Sequence, residues 1–189
     1  AKHFGAYGAV TAGREYASAD VSERTLLEIY LPPFAAAIAA GVAAIMPAFN
    51  DIAGLPMTAN AHLLKEILRQ RLGFKGVVIS DYNAVGELLN HGVAQDLFEA
   101  AVLAFNAGID IDMTSNAFID GLPLAVDRGL VSLNEIDNSV RRVLRLKERL
   151  GLFDDPYCRG NSNLCNTKKN QDLRRSLARQ AAQQAIVLL

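Results

Sequence analysis

The chain has 189 residues, of which 51% are hydrophobic, and its formal net charge at pH 7 is −1. This composition predicts a globular protein with a sizeable core, and the balance of acids and bases gives no electrostatic footprint for nucleic acid. No apolar run is long enough to cross a bilayer, and the opening AKHFGAYG lacks the pattern of a signal peptide. These features favour a small, neutral or weakly polar ligand and leave the compartment open.

The first predicted elements are a strand, a divided helix and a second strand. AKHF has the pattern of the end of a strand, and a loop rich in Gly, Ala and Tyr follows it. A helix is expected from about Ser22, and the pair Pro32 and Pro33 divides it, because proline suits a first helical turn but not a helix interior. Residues 43–46 form the next strand.

The same alternation continues through the middle of the chain. Asn60 is predicted to cap a helix that reaches Leu72, and residues 77–79 form a strand buried on both faces. Helices are expected over 85–90 and 96–106, followed by a strand over 109–113. A further helix covers 117–127, and the SLNE capping box at 132–135 begins a long helix.

Strands and helices that alternate at such short intervals are typical of parallel βαβ units. We predict an α/β fold: a partial (β/α)₈ TIM-like barrel with parallel strands over 1–153, a linker over 154–170, and the start of a second α/β domain over 171–189. That last part is expected to hold a helix and, at IVLL, a strand. About four βα units fit into the first part, which is half of a full barrel, so we expect the chain to be a fragment. A small open parallel sheet is the alternative.

Cys158 and Cys165 lie in a Gly- and Asn-rich stretch. They predict either a disulfide loop or two free thiols, since the sequence does not fix the redox compartment. A metal site there would need further ligands that are absent nearby.

Candidate chemistry lies at the carboxyl ends of the predicted strands, where parallel α/β folds place their active sites. Those ends carry Lys2 and His3, residues 46–50, Asp81 with Tyr82, and residues 110–113. Such a mixture of charged, amide and aromatic groups suits a polyhydroxylated ligand.

Some of these residues have structural interpretations as well. Asp81 is also suited to be the N-cap of the next helix. Asp110 and Asp112 share one face of a strand, but no third ligand is near, so no metal site is predicted. The charged run RRVLRLKER is interpreted as the solvated side of a helix.

Several strings in one order resemble the barrel domain of glycoside hydrolase family 3, the β-glucosidase group. They are KHFGAYG, YLPPFAAAIAAG, IMPAFNDIAGLPMTAN, LLKEILRQRLGFKGVVISDY, AGIDIDM and RRVLRLKERLGLFDDPY. The resemblance covers nearly the whole chain.

The resemblance implies that Asp81, in the SDY element, is the catalytic nucleophile. It further implies that Lys2 and His3 bind sugar hydroxyls and that Arg14 is a basic residue of the same loop. A subgroup of the family uses a His-Asp pair in that loop, but Tyr7 stands there, so we do not assign the chain to that subgroup.

The remaining sugar contacts implied by the resemblance are Met46, Phe49 and Tyr82. Tyr82 replaces the commoner Trp or His beside the nucleophile, and Phe49 lacks a phenolic hydroxyl. The acid/base Glu of the family commonly comes from the following domain, so we expect it outside these residues.

The resulting hypothesis is a retaining exo-glycosidase, a β-glucosidase, with a covalent intermediate on Asp81. The alternatives are a β-xylosidase and a non-catalytic carbohydrate-binding or scaffold module. No cofactor, metal, nucleic acid or membrane partner is expected.

The expected partners are a β-glucoside or short β-gluco-oligosaccharide, together with the remaining barrel half and second domain of the same protein. The isolated chain is expected to be inactive, and exposed strand edges make a homo-oligomer an expected form. We favour a periplasmic or extracellular location.

Overall fold

The computed structural model describes residues 1–157 and 168–187, in two compact units, Ala1–Leu146 and Lys147–Leu189. Cys158 and Cys165 lie outside the described residues, so neither the disulfide nor the free-thiol interpretation is tested. Much of the predicted linker lies outside them too.

The core of the first unit is a parallel sheet whose strand order follows the chain. Strands β1 (Lys2–Phe4), β2 (Ala44–Pro47) and β5 (Val77–Val78) are hydrogen-bonded in that order. A parallel bridge between Ile79 and Ile111 adds the fourth segment, so the strand predicted over 109–113 is reduced to one paired residue. Adjacent parallel strands in chain order are the arrangement of a barrel wall, and the predicted partial TIM-like α/β fold is confirmed.

The helices follow the strands as predicted, with different detail at their ends. The described helices are α1 (Glu23–Thr25), a π-helix (Leu26–Tyr30), α2 (Pro32–Ala39), a second π-helix (His62–Arg71), α3 (Leu97–Ala107), α4 (Ala117–Asp127), α5 (Leu133–Arg149) and α6 (Lys168–Ala185). Shorter 3₁₀ turns include Gly86–Leu88, where the sequence predicts a helix over 85–90.

The predicted helix caps are present. Asn60 Oδ1 accepts a hydrogen bond from the Leu63 N–H at 3.0 Å, next to the second π-helix. At α5, the Glu135 N–H donates to Ser132 Oγ at 3.2 Å, while the Ser132 N–H donates to Glu135 Oε2 at 3.4 Å. These reciprocal contacts form the predicted capping box.

A small hairpin follows β2 that the sequence pattern does not predict. Strands β3 (Asp51–Ile52) and β4 (Leu55–Pro56) pair antiparallel around Ala53 and Gly54, whose φ angles are 53° and 80°. Asp51 Oδ2 accepts a hydrogen bond from the Gly54 N–H at 3.0 Å. Strands of two residues are too short to show an alternating pattern, so hydrophobic periodicity does not detect them.

Apolar side chains from the sheet and helices form one main core. Its fully buried members include Phe4, Ile45 and Val78 from strands, and Leu64 and Leu68 from the second π-helix. Helices therefore cover one face of the sheet, as parallel strands require.

A charged cluster is buried behind the sheet, where the sequence indicated solvated side chains. The Asp110 side chain is 0% exposed, and its carboxylate lies 2.7 Å from Arg69 Nη2 and 2.6 Å from Arg142 Nη2. It accepts further hydrogen bonds from the Ser139 hydroxyl and the Val78 N–H. The interpretation of RRVLRLKER as a solvated face is therefore wrong at Arg142, because its partner Asp110 is 32 residues away and leaves no local signal.

The second unit carries α6, which begins at Lys168, three residues before the predicted start of the second domain at 171. Ile186 and Val187 are not in a strand, and Leu188 and Leu189 lie outside the described residues. The domain division predicted from the sequence stays a prediction.

Within the described ranges, no helix combines the length and apolar character that a membrane span requires.

Replacing Asp110 by Asn is expected to lower the free energy of unfolding by about 3–5 kcal/mol, because two partly buried arginines lose their counter-charge. Urea unfolding followed by circular dichroism measures this. The matched control is Asp137→Asn on the exposed side of α5, which should change the value by less than about 0.5 kcal/mol. Equal effects of the two substitutions would contradict the assigned role of Asp110.

Candidate active site

The backbone around Asp81 is fixed by the fourth strand segment. The Ser80 N–H donates to the Ile111 carbonyl at 2.9 Å, and the buried Ser80 hydroxyl accepts from the Met113 N–H at 2.8 Å. Asn83 N–H donates to the Met113 carbonyl at 2.9 Å. Asp81 is thus held at the carboxyl edge of the sheet by contacts on both sides of it in sequence.

The two carboxylate oxygens of Asp81 have different surroundings. Oδ1 accepts a hydrogen bond from the Tyr82 N–H at 2.7 Å. Oδ2 is buried and lies 3.0 Å from His3 Nε2, but no donor within the described ranges meets it with hydrogen-bond geometry. Oδ1 is therefore committed to a backbone donor, whereas Oδ2 is not.

The alternative that Asp81 only caps the next helix does not describe its side chain. An N-cap carboxylate accepts from the N–H two or three residues ahead, whereas Asp81 binds the N–H of its immediate neighbour. The Ala84 N–H instead donates to the Asp81 backbone carbonyl at 3.1 Å.

His3 belongs to a row of aromatic rings beside the carboxylate. The His3 ring meets Tyr7 edge-on at a centroid distance of 5.2 Å. Tyr7 approaches Phe49 at 6.4 Å, and Phe49 approaches Tyr16 at 4.6 Å. The loop after β1 and the end of β2 thus form one aromatic wall next to the His3–Asp81 pair.

The aromatic wall also carries two perturbed phenols. Burial raises the pKa of Tyr7 to about 12, with further contributions from the carboxylates of Glu15 and Asp81. The Tyr7 hydroxyl is buried and lacks a well-aligned hydrogen-bond partner in the described part of the chain. Burial also raises the pKa of Tyr16, followed by the charges of Glu87, Glu15 and Asp81.

The structure brings only some of the predicted site residues together. Lys2 and Met46 are register partners in β1 and β2 and line one cavity of about 130 Å³ beside Ile79. The Tyr82 side chain is 66% exposed. Arg14 is exposed as well, and among the described residues its side chain makes no hydrogen bond or ion pair.

Two buried residues support the site without having been singled out as ligands. Asn50 is fully buried, donates to the Gly5 carbonyl at 3.0 Å, and its Oδ1 has no partner within the described ranges. A Cβ added at Gly5, whose φ is +115°, would lie 2.5 Å from Met57 Sδ. The glycine in KHFGAYG was the available signal, because a buried turn with positive φ excludes other residues.

No group of three His, Cys, Asp or Glu side chains suited to a metal ion occurs in the described part of the chain.

The raised pKa of Tyr7 predicts an alkaline effect on stability. The folded-state pKa of Tyr7 is about 12, above its ordinary value of 10.0, so the stability that Tyr7 contributes is fully present below pH 10 and is lost as pH rises through 12. The free energy of unfolding of Tyr7→Phe should therefore depend less on pH across this interval than that of the parent protein. Urea unfolding at several pH values measures this.

The exposed Tyr157 provides the control. The free energy of unfolding of Tyr157→Phe should match that of the parent protein at every pH. A difference between Tyr7→Phe and the parent protein that stays constant with pH would contradict the role given to Tyr7.

Comparison with known proteins agrees with the geometry. The model of the glycosyl hydrolase family 3 N terminal domain matches residues 1–146. A periplasmic beta-glucosidase of Salmonella typhimurium is 40% identical over 191 residues, covering 100% of this chain and 25% of the relative. A putative beta-xylosidase of Formosa agariphila is also 40% identical over 191 residues, with the same coverage.

Solved structures give the same result. A beta-glucosidase from Listeria innocua in complex with glucose superposes with a TM-score of 0.88 at 42% identity, covering 93% of this chain and 24% of the other. The chain spans about a quarter of the length of the curated relatives it matches. With this match in sequence and structure, the chain belongs to glycosyl hydrolase family 3.

Proposed function

We propose that the polypeptide carrying this chain is a retaining exo-glycosidase that releases terminal β-D-glucosyl residues, with Asp81 as its nucleophile. The observation that carries the proposal is the asymmetry of the Asp81 carboxylate. One oxygen accepts a hydrogen bond from the Tyr82 N–H, and the other is buried, lies 3.0 Å from His3 Nε2 and has no aligned donor in the described part of the chain. A nucleophile needs an oxygen whose electron pair is not committed to a hydrogen bond.

In the first step, Asp81 Oδ2 forms a bond to the anomeric carbon as the bond from that carbon to the leaving oxygen breaks. The leaving oxygen takes a proton from an acid, and in the second step water, deprotonated by the conjugate base, displaces the carboxylate. The acid and the nucleophile of a retaining enzyme lie about 5 Å apart. We assign the acid/base group to residues outside this chain, as the resemblance implies.

The groups around Asp81 are proposed to bind the sugar. His3 Nε2 lies 3.0 Å from Asp81 Oδ2, so a sugar hydroxyl that approaches this pair from the side would contact both. Lys2 and Met46 line a cavity beside Ile79 that His3 and Asp81 do not line. Phe49 offers an aromatic surface in the row that begins at His3. Arg14 and Tyr82 are exposed, and we propose that they contact the sugar once it is bound.

The proposed substrate is a β-glucoside or a short β-gluco-oligosaccharide. The solved relative holds glucose, and the relative from Salmonella typhimurium is named a beta-glucosidase. β-Xylosidase is the second candidate, because a relative of equal identity is named a putative beta-xylosidase.

The remaining assignments concern the whole polypeptide. We propose that the rest of the barrel and a second domain complete the site, and that the chain alone is inactive and associates through its strand edges. The name of the Salmonella typhimurium relative supports a periplasmic location, and an extracellular location is the alternative.

Asp81→Asn in the active polypeptide should reduce kcat for an aryl β-glucoside by about 10³-fold or more, because an amide is a poor nucleophile. Glucose affinity should change by only a few fold, since the side chain keeps its shape. Kinetics and calorimetric titration measure the two effects. Asp120→Asn, on the exposed face of α4, is the matched control and should leave both values unchanged.

A trapping experiment makes the assignment specific. A 2-fluoro glucoside with an activated leaving group slows both steps by destabilising the oxocarbenium-like transition state, and the good leaving group lets the first step proceed. Mass spectrometry should find the label on the peptide containing Asp81. A label on another carboxylate, or unchanged turnover in Asp81→Asn, would contradict the assignment, and absence of any turnover would favour the carbohydrate-binding alternative.

The glucosidase and xylosidase candidates differ in how the site treats the hydroxymethyl group of the sugar. For a glucosidase, kcat/KM for an aryl β-glucoside should exceed that for the matched β-xyloside by about tenfold or more, because the xyloside leaves the contacts of that group empty. Steady-state kinetics with the same aryl group on both sugars tests this. The opposite ratio would select the xylosidase.

A further inference from the structure

A second cavity lies at the other edge of the sheet from Asp81. It has a volume of about 310 Å³ and is bordered by the second π-helix, the end of α3 and the first half of α5. Arg69 at its wall donates to the carbonyls of Gly76 and Gly108, which precede the third and fourth strand segments. The cavity is therefore at the amino edge of the sheet, whereas Asp81 is at the carboxyl edge.

The charges that line the cavity do not cancel. Lys65, Arg69 and Arg142 contribute three positive charges, while Glu135 at the wall and the buried Asp110 behind it contribute two negative ones. Arg69 and Arg142 share Asp110 as their carboxylate partner, and Lys65 lies 3.7 Å from Glu135. One positive charge is left over in a site whose arginines are only 17% and 27% exposed.

The arginines also have unused donors held in fixed positions. Arg142 directs Nε and Nη2 to Asp110 Oδ1, at 2.9 and 2.6 Å, and its Nη1 has no partner within the described ranges. Arg69 likewise uses Nη1 and Nη2 and leaves Nε free of partners among those residues. Guanidinium groups that are already ordered lose little conformational entropy when they bind an oxyanion.

Two of the groups that line the cavity have pKa values shifted by their surroundings. Burial lowers the pKa of Arg69, and the neighbouring Arg142 lowers it further against the opposing effect of Asp110. Hydrogen bonds from Ser132 lower the pKa of Glu135, so its carboxylate is ionised at neutral pH. An added anion would relieve the repulsion between the two arginines.

We propose that this cavity binds a small, multiply charged oxyanion of the phosphate class, held by Arg69, Arg142 and Lys65. The amides of Gln70 and Asn138 on the same wall supply neutral donors for further oxygens. The bound anion would join the second π-helix to α5 and stabilise the folded protein by binding it selectively. Chemistry at Asp81 does not involve this site.

The test is titration of the purified protein with inorganic phosphate, followed by calorimetry and by the thermal unfolding midpoint. Sodium chloride at matched ionic strength and sodium acetate are the reference anions. We expect saturable binding and a rise in Tm with phosphate, a weaker effect with acetate and none with chloride. Absence of saturable phosphate binding would overturn the proposal.

Two substitutions with opposite expected effects locate the site. Lys65→Gln removes a cation and should raise the Kd for phosphate about fivefold. Glu135→Gln removes the wall carboxylate and should lower it, while glutamine retains the capping box with Ser132. Damage to the fold would weaken binding in both variants.

Lys75→Gln, at an exposed lysine outside the cavity, is the control and should leave the Kd unchanged. Turnover at Asp81 should be unaffected by all three substitutions. Equal Kd values in the parent protein and in Lys65→Gln, or a shift in the same direction for Lys65→Gln and Glu135→Gln, would show that phosphate binds elsewhere and overturn the assignment.

Discussion

The buried carboxylate of Asp110 is the constraint on which the sheet depends. The third and fourth strand segments share few backbone hydrogen bonds, since Ile79 and Ile111 form a single bridge. Asp110 supplements them, because its side chain accepts from the Val78 N–H while its own N–H donates to the Val78 carbonyl. Arg69 and Arg142 then connect that carboxylate to two helices. Asp81 follows Val78 by three residues, so a charge cluster at one edge of the sheet fixes the register of the candidate nucleophile at the other.

Backbone strain lies at the carboxyl edge of the sheet, opposite the edge that holds the Asp110 cluster. All seven described non-glycine residues with positive φ lie in loops that follow the carboxyl ends of the parallel strand segments: Ala6, Ala12, Tyr16, Ala53, Asn83, Thr114 and Asn116. Each costs on the order of 1 kcal/mol for an L-residue, and such conformations persist where packing over-determines them. The site edge is therefore built from loops that the core holds in unfavourable conformations, as is usual where side chains must converge on a ligand.

The fold was predictable wherever a local pattern specifies an element. The β-branched run at 77–79, the Pro pair that opens α2, and the caps Asn60 and Ser132 each act within a few residues, and each leads to the observed strand or helix. The hairpin of β3 and β4 was not predicted, because each of its strands has only two residues. Arg142 was misjudged because a residue on a charged helix is assigned to solvent unless its distant partner is known.

Only part of the candidate site was predictable from the sequence. The rule that chemistry gathers at the carboxyl ends of parallel strands identified His3 and Asp81, and these two side chains are in contact. The same rule did not separate the phenols of Tyr7 and Tyr16, in a loop, from ordinary surface residues. Their place in the aromatic wall depends on the path of the loop after β1, and positive φ at Ala6 and Ala12 is not encoded by those residue types.

Asp81 and Asp110 show why residue type and position alone do not distinguish a carboxylate proposed to be catalytic from a structural one. Both acids lie at or next to a paired strand segment of the same sheet, yet Asp110 accepts hydrogen bonds from two guanidinium groups, a hydroxyl and a backbone N–H. With its charge so fully compensated, Asp110 has no electron pair available for a substrate and no exposed surface from which to reach one. Asp81 has one backbone donor and one neighbouring imidazole, and its side chain is 13% exposed. The donors committed to Asp110 come from residues 29 to 41 positions away. Their number therefore makes Asp81, and not Asp110, the candidate nucleophile.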